Sequence, residues 1–143
     1  MSITTVITTY INRLPLFKGM ENISKSGGKV KSGKINGVKI KELVTHCDDR
    51  GRFIEVLRDD DGFLKGFGQA SMTTTYPGVI KAFHWHKRQD DVWFCPSGNI
   101  QVVMHDLREN SPTKGKTEVV YMGEDNRILL LIPQGVAHGY KVL

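Results

Sequence analysis

From Val38 to the last residue the chain is a succession of short strand-like runs, and this pattern limits the fold more than any other feature. The runs are "VKIKELVTH", "RFIEVLR", "FLKGFGQASMTTTY", "GVIKAFHWH", "DVWFCP", "NIQVVMHDL", "TEVVYM" and "ILLLIP". Several alternate apolar with polar residues, most clearly "VKIKELV", which is the period-two signature of a half-buried strand. Turn-forming clusters punctuate them: "DDRG", "DDDG", "YPG", "PSGN", "SPTKG", "GEDN" and "PQG". No long segment carries a 3.6-residue periodicity, and no internal repeat is present. An all-β sandwich or barrel is the expected architecture. A chain of 143 residues is long enough for one core of ordinary size.

The N-terminal quarter reads differently. Residues 1–23 are mildly apolar and rich in β-branched types, as expected of a short helix or strand packed on the domain or on a second subunit. Residues 24–37, "SKSGGKVKSGKING", offer little to bury and are expected to be a linker. The expected organisation is an N-terminal segment with linker over 1–37 and a β-barrel domain over 38–143. Much of the formal net charge of +5 lies in these lysines. No helix-turn-helix, RNP-like or zinc-finger pattern accompanies the charge, so no nucleic-acid partner is expected. The two cysteines, Cys47 and Cys95, have no CxxC spacing and suggest a reducing compartment. No run approaches the roughly 18 apolar residues of a membrane span, and the opening lacks a signal-peptide pattern. A cytoplasmic location is expected.

Chemistry concentrates in "KAFHWHKRQDDVWF", residues 81–94. On a strand, His84 and His86 are two apart and project from one face, as a chelating or catalytic pair must. Asp91 follows a bend and can return to face them. A second stretch, "IPQGVAHGY", places His138 just after a turn made by Pro133 and Gly135. Burying three imidazoles in an apolar barrel is costly unless they have a task. Three imidazoles and a carboxylate suit a divalent transition metal, whereas an imidazole of ordinary pKa near 6.5 equally suits proton removal at neutral pH. His46 and His105 read as surface residues, and Trp93, Met104, Met122 and the "ILLLIP" run as core. Cys95 reads as a buried thiol.

The run from Gly78 through His84, His86 and Asp91 to Gly98 resembles the first motif of the cupin superfamily, with Asp91 where the usual pattern has Glu. Pro133, Gly135 and His138 resemble the second. The resemblance implies a double-stranded jelly-roll β-barrel with these side chains lining its interior.

Residues 48–142 further resemble one cupin branch, the dTDP-4-dehydrorhamnose 3,5-epimerases. "DDRGRFIEVLR" is similar to that family's Asp-Glu-Arg-Gly-aromatic-Phe-x-Glu segment, and "FGQASMT" to its Phe-x-Gln-x-Asn-x-Ser strand. "GVIKAFHWH" is similar to its Gly-x-x-Arg-Gly-x-His-Tyr strand, and "VVMHDLRENSPTKGK" to its Val-Asp-Leu-Arg segment with the following Ser-Pro-Thr-x-Gly. The stretch from Glu124 to Tyr140 matches its late barrel strand. The resemblance implies an isomerase acting on a nucleoside-diphosphate 4-keto-6-deoxy sugar without a cofactor. His84 would be the general base that removes the proton next to the keto group. His138 would be a donor beside the keto oxygen, with Asp106 holding its tautomer. Arg50, Phe53, Glu55, Gln69, Lys81 and His86 would meet the substrate, Lys81 replacing the family's Arg and losing its bidentate fork.

Departures from the family pattern keep two other readings open. The family's active-site Lys aligns with Asp91, and an anion beside a developing enolate opposes the chemistry. Ser71 stands for Asn, and Trp85-His86 for Tyr-Gln. The family continues past the position of Leu143 with a Tyr taken as the acid and an Asp that orients the base, for which this chain has no match. A metal-dependent cupin using His84, His86, Asp91 and His138, or a non-catalytic sugar-nucleotide-binding module, would accommodate these differences. In each case a homodimer is expected, since a short barrel leaves sheet edges to cover.

Overall fold

A computed structural model describes residues 4–11, 28–63 and 65–143. Twelve strands and one short 3₁₀ turn are found among them: β1 (Thr4–Ile11), β2 (Val30–Ser32), β3 (Lys39–Glu42), β4 (Thr45–Asp48), β5 (Gly51–Ile54), β6 (Gln69–Thr75), β7 (Ile80–His84), β8 (Asp90–Ser97), β9 (Asn99–Asp106), β10 (Thr117–Gly123), β11 (Ile128–Ile132) and β12 (Val136–Val142), with the 3₁₀ turn at Asp59–Asp61. A six-stranded sheet in the order β2-β3-β11-β8-β1-β6 packs on a four-stranded sheet in the order β10-β9-β12-β7, and β4 and β5 form a separate hairpin. This is the jelly-roll-like all-β sandwich expected from the strand pattern. No helix among the described residues is long and apolar enough to cross a membrane.

The alternation of side chains explains how the sheets meet. On β9, Ile100, Val102 and Met104 are buried and their odd-numbered neighbours only partly so. They join Trp93 and Cys95 of β8, Leu130 and Ile132 of β11, and Val136 and Tyr140 of β12 in one core between the sheets. β8 and β11 are buried on both faces. Their other residues, Val92, Phe94, Leu129 and Leu131, pack with Phe63 in a second cluster bordered by Ile7, Leu43, Val56 and Leu57. The segment after β5 thus covers the outer face of the larger sheet, and "RFIEVLR" is a strand only as far as Ile54. The β8–β9 reversal turns on Gly98 at φ 75°, where a Cβ would also strike the Thr4 side chain, so glycine is required there.

The expected boundary at residue 37 falls inside the fold. β1 lies between β8 and β6, antiparallel to both, so residues 4–11 form the expected strand on the domain and lie inside its larger sheet. Val30–Ser32 pairs with β3, and Ile35 is fully buried with its N–H donating to the Glu118 carboxylate at 3.0 Å. A polar composition concealed this because one buried isoleucine and a ladder of backbone hydrogen bonds suffice to order so short a segment. Residues 12–27, including the first four positions of the expected linker, lie outside the described residues.

Asp106 also differs from expectation. Its carboxylate accepts from Arg108 Nε and Nη2 at 2.8 Å each, and from the Ser111 and Thr113 hydroxyls at 2.6 Å each. His138 finds its partners elsewhere, so Asp106 does not hold the tautomer of that ring. The residue instead closes the loop after β9, because "DLRENSPT" supplies four side-chain donors and the Arg108 N–H within seven residues of one carboxylate. The Arg108 guanidinium, followed by the two hydroxyls, outweighs burial and holds the Asp106 carboxyl well below the usual carboxylate range.

Two predictions follow from this packing. Leu130→Ala, at a fully buried position, is expected to cost about 2–5 kcal/mol in chemical denaturation. Because the folded-state pKa of Asp106 is depressed, its stabilisation is present above the unfolded carboxylate range and is lost as pH falls through the folded value. Asp106→Asn should therefore lose about 1.5–3 kcal/mol at pH 7. The gap from the parent protein should narrow below about pH 4 when melting temperatures are compared across pH.

Candidate active site

Three strands from two sheets bring the histidine constellation together. β12 runs between β9 and β7, and His138 stands in register opposite His84. Asp91 projects from β8 of the other sheet, on the face that also carries Trp93 and Cys95 into the core. His86 follows β7, and its carbonyl accepts from the Gly135 N–H at 2.8 Å. That bond ties the "HWH" segment to the "PQG" turn. Gly135 adopts φ 80° there, with Arg108 packed where a Cβ would project.

The ring centroids of His84 and His138 lie 4.4 Å apart, edge to face, and those of His84 and His86 5.6 Å apart. One ligand-capable atom from each of His84, His86, Asp91 and His138 falls within 4.8 Å of all the others. Their environments are graded. Asp91 and His138 are each 1% exposed, His86 is half-buried, and His84 is exposed. The cluster therefore has a floor closed to water and a mouth at His84. Burial, and then the neighbouring His138, push the His84 imidazole below its ordinary pKa; the Asp91 charge opposes them. His84 is accordingly a neutral imidazole at neutral pH.

His138 is held at both nitrogens. Nδ1 is 2.9 Å from the Val136 carbonyl, which can only accept, so Nδ1 carries a proton and donates it. Nε2 is 3.1 Å from Asp91 Oδ2, and His86 Nε2 is 3.5 Å from the same oxygen. A carboxylate also only accepts. One Asp91 oxygen thus faces both rings. Gln89 Nε2 donates to the other oxygen, Asp91 Oδ1, at 3.4 Å.

Trp93 belongs to this site although its sequence context reads as core. Its ring meets His138 edge-on at 5.1 Å and lies 6.1 Å from His84 and 5.6 Å from Tyr140. Its buried Nε1 has no hydrogen-bond partner among the described residues. The available signal was its spacing: two residues beyond Asp91 on one strand means the same face. Tyr140, two beyond His138, is placed likewise and hydrogen-bonds Thr75 through its hydroxyl at 2.7 Å.

The remaining candidates are dispersed. Arg50, Phe53 and Glu55 lie on or just after the β4–β5 hairpin, whose strands pair only with each other. The Arg50 guanidinium is engaged by Asp48, Phe53 is exposed beside His46, and Glu55 faces Arg58 at 3.6 Å. None of the three joins the histidine cluster, because a hairpin with every residue solvated or only partly covered projects away from the core. Gln69 begins β6 and Lys81 lies on β7, opposite Tyr140, both exposed on edge strands.

Comparison with known proteins agrees with the fold and the motifs. The family model described as dTDP-4-dehydrorhamnose 3,5-epimerase matches residues 32–143. The spore coat polysaccharide biosynthesis protein SpsL of Bacillus subtilis (strain 168) is 65% identical over 109 residues, which cover 76% of this chain and 72% of that protein. The crystal structure of dTDP-4-dehydrorhamnose 3,5-epimerase from Sulfolobus tokodaii superposes with a TM-score of 0.73 at 30% identity, over 81% of this chain and 69% of the other. The epimerase of that name from Bacillus anthracis str. Ames, solved with TDP and PPi bound, gives a TM-score of 0.70 at 29% identity, over 82% and 71%. With a family match across most of its length and the same sandwich around its histidines, this chain belongs to the dTDP-4-dehydrorhamnose 3,5-epimerase family.

Proposed function

We propose that this protein epimerises a nucleoside-diphosphate 4-keto-6-deoxy sugar, with His84 as the general base. The observation that carries this reading is the position of His84: a neutral imidazole at the mouth of an otherwise buried polar cluster, where a sugar ring can reach it. A His84 ring nitrogen takes the proton from the carbon beside the keto group. The C–H electron pair becomes the C=C bond of an enolate, and the carbonyl π electrons move to oxygen. Return of a solvent proton to the opposite face inverts the centre and restores the ketone, so no oxidant or reductant is consumed. The TDP-bound relative supports a thymidine nucleotide as the carrier. Lys81 and Gln69, exposed on the two edge strands, are the polar groups assigned to its phosphates and base.

A homodimer in a reducing, cytoplasmic setting is part of this reading. Met72, Tyr76, Ile80 and Phe83 are each more than 60% exposed on or beside the edge strands β6 and β7, and an apolar edge of this kind is normally covered. Both described cysteines are free thiols.

Deuterium incorporation from D₂O into the ring of a dTDP-4-keto-6-deoxy sugar tests the catalytic assignment. The parent protein should exchange deuterium at a carbon flanking the ketone, and His84→Ala should slow exchange about 10²–10⁴-fold while still binding dTDP. Undiminished exchange in that variant would remove His84 as the base. For the assembly, light scattering should give twice the chain mass, and Phe83→Glu should shift it to the monomer.

A further inference from the structure

β8 turns its two neighbouring carboxylates to opposite sides of the larger sheet. Asp91 points inward to the histidines, whereas Asp90 lines a separate cleft of about 280 Å³ on the outer side, bordered by Phe63 and Leu131 of the second apolar cluster. Three cations stand around it: Lys39, opposite Leu131 in the β3–β11 pair, with Lys65 and Arg108. Lys41, two residues along the same face of β3, is buried in an ion pair with Asp61. Lys39 is partly buried and its ammonium has no partner among the described residues. Withdrawing an unpaired ammonium from water carries a cost that an incoming anion offsets.

The other two cations are placed for the same purpose. Lys65 is exposed and likewise makes no ion pair among the described residues. Arg108 is fixed in position, since the Asp106 carboxylate, the Asn36 carbonyl and the Ser111 hydroxyl engage its Nε and Nη2. Its Nη1 makes no hydrogen bond among the described residues and faces the Gly37 wall of the cleft, where a Cβ on Gly37 would stand 3.7 Å from it. Asp90 is the one carboxylate among the described lining residues, and its Oδ1 is engaged by the Gln134 N–H at 2.9 Å.

We propose that this cleft binds a phosphate group, free or carried by a small organic molecule, through Lys39, Lys65 and Arg108 Nη1. A guanidinium held in place and two ammonium groups offer charge-assisted donors from three directions, which suits a tetrahedral oxyanion. At about 280 Å³ the cleft falls below the roughly 300–1,000 Å³ of sites for drug-sized ligands, so its scale is that of a phosphate or a phosphorylated monosaccharide rather than a nucleoside-diphosphate sugar. β8 stands between it and the histidine cluster, so its ligand does not compete with a sugar at His84. The site stands independently of the epimerase reading.

Titration of the full chain with inorganic phosphate and, separately, with glucose 1-phosphate, followed by heteronuclear NMR, tests the site. Saturable binding is expected, with the largest shifts at the amides of Gly37 and Gln134 and with affinity falling as salt is added. Tighter binding of glucose 1-phosphate identifies an organic carrier, and equal binding identifies phosphate itself. Lys39→Met should weaken binding about 10–100-fold, Lys65→Gln should weaken it less, and Lys39→Arg should keep it. Absence of saturation in the parent would overturn the proposal. Undiminished affinity in both Lys39→Met and Lys65→Gln, their fold verified by circular dichroism, would do so too. An affinity lost in Lys81→Gln but kept in Lys39→Met would place the anion at the substrate mouth and equally remove the cleft.

Discussion

The pairing of Asp91 with His138 joins the two sheets by a polar contact in a largely apolar interior, which the Tyr140–Thr75 hydrogen bond also crosses. Asp91 and His138 are each 1% exposed, so neither can be solvated if the other is lost. The surrounding structure is organised so that the pair can form. β12 is held between β9 and β7, which fixes the direction of His138 and places His84 opposite it. β8 is buried on both faces, so its register is set by two apolar clusters at once, and a one-residue slip would turn Asp91 out of the core. The close-packed residues of the larger sheet thus determine where one carboxylate points.

The same arrangement separates structural from chemical work among the acidic residues. Asp106 and Asp91 are equally buried. Asp106 is surrounded by donors from its own loop and is satisfied within it, which makes it an anchor. Asp91 receives its contacts from His86 and Gln89 of the segment just before it and from His138 on β12 of the other sheet.

Much of this was legible in the residues. Alternation and turn chemistry identified the β-sandwich, and the two-residue spacing of His84 and His86, with His138 after a Pro-Gly turn, located the cluster. What the sequence left obscure has physical reasons. The role of residues 4–11 depends on long-range pairing with β6 and β8, which composition does not encode. Ile35 is a single buried residue in a polar stretch, too little to register as periodicity. The resemblance assigned Asp106 to His138 where the structure has Asp91, because each lies a strand away and only the donors around Asp106, carried by its own loop, exclude it. Trp93 was hidden by its type: a tryptophan in an apolar strand reads as packing whether or not its ring edges a functional histidine.

The central claim is that the reacting sugar sits at the mouth formed by His84 over the Asp91–His138 floor. A crystal structure of the protein with a dTDP-4-keto-6-deoxy sugar or its product bound tests this most directly. The account predicts a ring carbon flanking the keto group about 3–3.5 Å from a His84 nitrogen, with the keto oxygen directed toward the His86, Asp91 and His138 atoms. A sugar found instead against the β4–β5 hairpin near His46 and Phe53, with the space before His84 filled by solvent, would contradict it.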